Sequence, residues 1–73
     1  MATETKILEA SEVIKRLKKT GMTQEEIAKA LGCTQVAVSQ WKLKKTFPIP
    51  IFRGELARVY REVTGEVVKV LEQ

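Results

Sequence analysis

The chain of 73 residues has no histidine and a single cysteine, Cys33. Without imidazoles or a second thiol it offers no metal-ligand set and no internal disulfide, and no nucleophile stands with a matching base. No stretch approaches the roughly 18 apolar residues that a membrane span requires. No charged start followed by an apolar run and a small-residue cleavage site marks a signal peptide, so an intracellular chain is expected. Acids are also missing from one long stretch: none occurs between Thr34 and Pro48, where Lys42, Lys44 and Lys45 stand.

What is present fits one small domain. A chain this short buries only about 60% of the surface that its unfolded form exposes, which makes self-association a real expectation. Its 44% hydrophobic residues suffice for a modest core, but not for a deep catalytic cavity together with the walls to hold it. A binding module is therefore expected rather than an enzyme. Thirteen basic against nine acidic residues give a net charge of +4, which favours a polyanionic partner. Lysines also simply solvate small domains, so their position has to decide.

Ile7, Leu8, Val13, Ile14 and Leu17 recur at helical spacing, with Glu4, Glu9 and Glu12 early and Lys15, Arg16, Lys18 and Lys19 late. That order suits the helix dipole and predicts a first helix over residues 5–19, closed at Gly21. "TQEE" follows, a capping box between Thr23 and Glu26. Ile27, Ala28 and Leu31 form one face of the short second helix, which Gly32 stops; Thr34 then caps a third. With only Gly32 and Cys33 between them, the two helices are joined by a sharp turn. Pro48 and Pro50 forbid continuing the third helix, and Pro50 suits a first helical turn. Phe52, Leu56, Val59, Tyr60 and Val63 mark a fourth helix up to Gly65. Gly54 inside it fits a tolerated surface glycine or a close approach to another helix. In the tail "EVVKVLEQ" the pattern fits helix or strand, and its valines tip it toward strand.

At 100° per residue, Ala37, Val38 and Trp41 share one arc of about 100° on the third helix and form its buried side. Opposite lie Gln35, Ser39, Lys42 and Leu43, flanked by Val36 and Gln40. An ordinary solvated face would be rich in Glu and Lys; this one is almost uncharged, built from amide, hydroxyl and apolar groups with Lys42. Gln and Ser both donate and accept, as base edges in a major groove require, and Val36 and Leu43 suit thymine methyls. The lysines supply attraction to phosphates, and the start of the second helix offers free amides beside Gln24.

"TQEEIAKALGCTQVAVSQWK" resembles the helix-turn-helix of phage Cro and repressor-type regulators, and "IP" with "R...L..VTG" resembles a Cro-like subgroup, over Thr23 to about Gly65. Ala28 at the helix crossing, Gly32 in the turn, Val38 in the core and "AVSQWK" carry the likeness. It implies a mainly α, lambda-repressor-like bundle of four helices with a short C-terminal strand or fifth helix. The whole chain, 1–73, would be one DNA-binding domain, with the helix-turn-helix at about 23–44 and the tail 66–73 as a candidate dimerisation segment. It implies a cytoplasmic, phage or bacterial repressor without cofactor or small-molecule ligand, bound as a homodimer to a near-palindromic operator in double-stranded DNA. The recognition helix would be 34–44, with Gln35, Val36, Ser39 and Gln40 on bases and Gln24 on a phosphate. Thr34 suits either role, and is placed with the base contacts. Lys42, Lys44 and Lys45 complete the phosphate set.

Other residues are assigned to structure. Trp41 and Cys33 are expected inside, the latter as an inert thiol. Arg53 and Arg58 are expected in ion pairs with Glu55 and Glu62. An apolar tail left open would invite a two-fold partner. The rival reading is a helical protein-interaction or antitoxin-like module that keeps the helix-turn-helix as scaffold, working through the apolar stripe and tail. A sequence-blind DNA binder is a third.

Overall fold

A computed structural model describes residues 5–71. The order of elements is β1 (Lys6–Leu8), α1 (Ala10–Lys19), α2 (Gln24–Leu31), α3 (Gln35–Lys42), α4 (Pro50–Thr64) and β2 (Val68–Val70). The mainly helical, four-helix architecture is as expected, and the tail resolves as a strand.

The first helix begins later than residue 5. Glu9 is extended (φ −70°, ψ 151°) at the start of α1, and Lys6–Leu8 pair in parallel with Val68–Val70, Lys6 opposite Val68 and Leu8 opposite Val70. The Lys6 amide donates to the Val67 carbonyl (3.2 Å) and the Leu71 amide to the Leu8 carbonyl (2.8 Å). Ile7 and Leu8 fit a helical period locally, but a partner some sixty residues away outbids it by offering ladder bonds. Glu4, read as an early helix acid, lies outside the described residues, as do Glu72 and Gln73 of the tail.

The core gathers Val13, Ile14 and Leu17 of α1, Ile27, Ala28 and Leu31 of α2, Val38 and Trp41 of α3, and Leu56, Val59 and Tyr60 of α4. Val68 and Val70 are buried in the same cluster, so these two tail side chains are covered within the chain, while Leu71 stays exposed. Val63, expected on the buried stripe, is exposed in the last turn of α4. Lys6 pairs with Glu66 beside the sheet. The Tyr60 hydroxyl accepts from Arg16 and donates to Glu66, each at 3.4 Å. Gly54 faces open space: a Cβ there would meet nothing within 4 Å, so no close approach inside the described chain explains a residue that costs a helix interior about 1 kcal/mol relative to alanine. Among the described residues no helix is long and apolar enough to cross a membrane.

The capping box forms. The Thr23 hydroxyl accepts from the Glu26 amide (3.1 Å) and the Glu26 carboxylate from the Thr23 amide (2.9 Å). That backbone bond holds the Glu26 carboxyl below its usual value; a bond from Lys44 does the same for Glu9, and one from Lys6 for Glu66. A carboxyl depressed in the folded state stabilises the fold above its unfolded pKa, and that contribution is lost as pH falls through the folded value. Thermal stability should therefore hold from neutral pH down to about 5 and fall below about 4.5, less steeply for Glu26→Gln, when midpoints are followed by circular dichroism. In urea denaturation Thr23→Ala should cost about 1 kcal/mol.

Candidate nucleic-acid interface

The interface is built by the turn between α2 and α3. Gly32 closes α2 in the left-handed region at φ 75°, a conformation that glycine adopts without a Cβ clash. The next amide, Cys33, donates to the Ala28 carbonyl at 3.0 Å. The Cys33 side chain is half-buried there, and burial pushes its thiol pKa up, which disfavours the reactive thiolate. Thr34 then caps α3, its hydroxyl accepting from the Ala37 amide at 3.2 Å. Across the turn, the Gln24 side-chain amide donates to the Gln35 carbonyl at 3.2 Å. One hydrogen bond thus sets the amino-terminal ends of the two helices side by side.

Packing fixes the rotation of α3. Val38 and Trp41 are buried, and the Trp41 ring lies 5.5 Å from that of Phe52, tilted by 44°. The opposite side is forced outward. Gln35, Val36, Ser39, Gln40 and Leu43 line an open groove, joined by Gln24 at one end and Lys45 at the other. Four of the five expected base-contact residues therefore share one surface. The fifth, Thr34, is exposed at the helix cap, and its oxygen is engaged by the Ala37 amide. Val36 is 65% exposed and Leu43 59%, so the groove offers apolar as well as polar groups.

The cations divide into three settings. Lys45 lines the groove. Lys42, at the boundary between buried and open arcs, is half-buried beside Lys18 of α1; a contact with that ammonium and its like charge hold Lys42 below the ordinary lysine pKa. Lys18 was read only as part of the basic end of the first helix, and its place beside Lys42 depends on how α1 packs on α3. Lys44 turns away to Glu9, at 2.8 Å, and lines a separate small cavity with Trp41 and Phe47. The acid-free sequence around it concealed a carboxylate supplied by the start of α1.

The third helix also stops earlier than residue 44. Lys44 adopts φ 61°, with its amide donating to the Trp41 carbonyl (3.1 Å) and the Lys45 amide to the Gln40 carbonyl (2.9 Å). This pair of bonds is the Schellman closure, in which glycine is the usual left-handed residue. Thr46 donates to the Gln40 side-chain oxygen at 3.4 Å. Farther on, Arg58 pairs with Glu55 (2.6 Å) and Glu62 (3.0 Å) as expected, and also donates to the Ala30 carbonyl at 3.3 Å, tying α4 to α2. Arg53 departs from expectation. Glu55 is engaged by Arg58, and Arg53 donates instead to the Pro48 carbonyl at 3.0 Å.

Chemically, the arrangement combines uncharged donors and acceptors, two apolar side chains, free amides at a helix start and cations at the margins. Base edges and phosphates of a duplex ask for that combination. The closure of α3 can be tested separately. Lys44→Gly and Lys44→Ala both lose the exposed ion pair with Glu9, but only alanine retains the left-handed strain. The glycine variant should be the more stable by about 1 kcal/mol in urea denaturation.

No curated protein and no solved structure matches the chain significantly. The family model described as helix-turn-helix matches residues 13–46, a span that begins inside α1, takes in α2, the turn and α3, and ends at Thr46, where the groove ends. Residues 13–46 thus match a helix-turn-helix, and the match supports a DNA-binding transcription regulator.

Proposed function

We propose that the protein is a Cro-type repressor that occupies a specific, near-palindromic operator as a homodimer, with α3 lying in the major groove of each half-site. The observation that carries this reading is the groove shared by Gln24, Gln35, Val36, Ser39, Gln40, Leu43 and Lys45: apart from Lys45 at one end its lining is uncharged, and it is bounded by groups suited to phosphates. Gln35 and Gln40 present amides for bidentate bonds to adenine, Ser39 a hydroxyl, and Val36 and Leu43 apolar surface for thymine methyls. Thr34, at the helix cap, reaches the adjoining base or phosphate. Gln24, Lys42 and Lys45 take phosphates, with Lys18 added beside Lys42. Lys44 has to give up Glu9 before it can join them, so it contributes less than Lys45. Repression follows by occupancy, since the DNA-facing groups hold and do not react.

Selection of bound sequences from random duplexes should return an inverted repeat with half-sites about 10 base pairs apart. Gln35→Ala with Ser39→Ala should relax the preference at the contacted positions, losing about 1–3 kcal/mol of discrimination for each good bidentate contact. No change in preference would favour the rival protein-interaction reading, and equal affinity for every duplex a sequence-blind binder. Lys45→Ala should flatten the plot of log affinity against log salt by about 0.9, and Lys44→Ala by less, in fluorescence-anisotropy titrations.

A further inference from the structure

The two glutamines that α3 turns toward the groove are held differently. Gln35 is exposed, and among the described residues its side-chain amide meets no hydrogen-bond partner; Gln24 engages its backbone carbonyl instead. Gln40 is half-buried, and the turn that closes α3 grips it twice. Left-handed Lys44 (φ 61°) sends the chain back. The Lys45 amide then donates to the Gln40 carbonyl at 2.9 Å, and the Thr46 hydroxyl donates to Gln40 Oε1 at 3.4 Å. Thr46 itself is exposed and lies outside α3.

The second of these bonds bears on how a base is read. The last torsion of a glutamine side chain is soft and roughly two-fold, so a half-turn exchanges its oxygen with its nitrogen. In the major groove adenine presents a donor where thymine presents an acceptor, so a donor and an acceptor in fixed order fit A·T and misfit T·A. A free amide turns over to suit either. The Thr46 bond uses one of the two lone pairs of Oε1 and leaves the other, with both amide protons, for a base. Turning the amide over would make the hydroxyl an acceptor and strand its proton once a duplex had displaced the water around it. The hydroxyl therefore favours one order of donor and acceptor, and it orders the Gln40 side chain before a base arrives.

We propose that Thr46 is a positioning residue for base readout: it fixes the Gln40 amide so that Gln40 tells A·T from T·A at the pair it contacts. Specificity is thus set in part from beyond the recognition helix, by the residue that the left-handed turn at Lys44 returns to its side. This deepens the operator reading and rests on it.

Fluorescence-anisotropy titrations of the full chain test it, with the selected duplex and with copies in which single A·T pairs are exchanged for T·A. The pair read by Gln40 is the one whose preference Gln40→Ala removes. There Thr46→Val, which keeps the shape and loses the hydroxyl, should lower the A·T over T·A ratio roughly twofold to tenfold, the cost of ordering one long side chain. The ratio at the pair read by Gln35 should not move. Thr46→Ser should restore the wild-type ratio, and Thr46→Val added to Gln40→Ala should change nothing further. In the DNA-free protein the side-chain amide resonances of Gln40 should shift in Thr46→Val and return in Thr46→Ser, with those of Gln35 unmoved. An unchanged ratio in Thr46→Val would overturn the proposal while leaving the operator reading intact. So would a Gln40 pair that is not A·T, or an equal loss of affinity for every duplex, which marks a phosphate contact. A wild type without preference for any duplex would remove the operator reading and this role with it, whatever the Gln40 resonances do.

Discussion

The burial of Val38 and Trp41 is the constraint from which the rest of the site follows. An eight-residue helix turning 100° per residue has room for one buried arc, so anchoring these two side chains decides which residues face out. Trp41 is held by Phe52 of α4, and the Gln24 bond to the Gln35 carbonyl fixes the other end. Between those anchors the outward residues cannot rotate, and Gln35, Val36, Ser39 and Gln40 keep a common direction. The outward surface of α3 is therefore a by-product of core packing. Its rigidity matters because a side chain that is already positioned loses less entropy when it meets a base.

Much of this was legible in the sequence because the signals are local. The Thr23 capping box, the Gly32 turn, the Thr34 cap, the double proline and the inward arc of α3 each depend on residues within a few positions of one another. What escaped is non-local. The helical period of Ile7 and Leu8 gave no hint of a parallel partner at Val68–Val70. Lys44 looked free because its carboxylate, Glu9, is thirty-five positions away, and Lys18 looked unrelated to Lys42 until α1 packed across α3. Arg53 departs for a local reason: it is two positions from Glu55, on a different side of the helix, whereas Arg58 stands three from Glu55 and four from Glu62 and faces both.

Electrostatics follows the same division between local and assembled. A net charge of +4 indicates a class of partner without indicating a site. In the fold Lys44 is engaged by Glu9 and Arg58 by Glu55 and Glu62, while Lys45 remains at the groove and Lys18 and Lys42 crowd each other. The useful positive charge is thus narrower than the count of lysines implies, and it lies where α3 and α1 end. Phosphates at that margin would relieve the crowding of two ammonium groups, so attraction and orientation come from the same place.

The decisive measurement is a backbone amide chemical-shift titration of the protein with duplexes of differing sequence. Shifts centred on Gln24 and on Gln35 to Gln40, varying in pattern with the duplex, are expected if the outward side of α3 reads base edges. Shifts confined to the α3–α4 junction and α4, with Gln35 to Gln40 unmoved by every duplex, would contradict that claim.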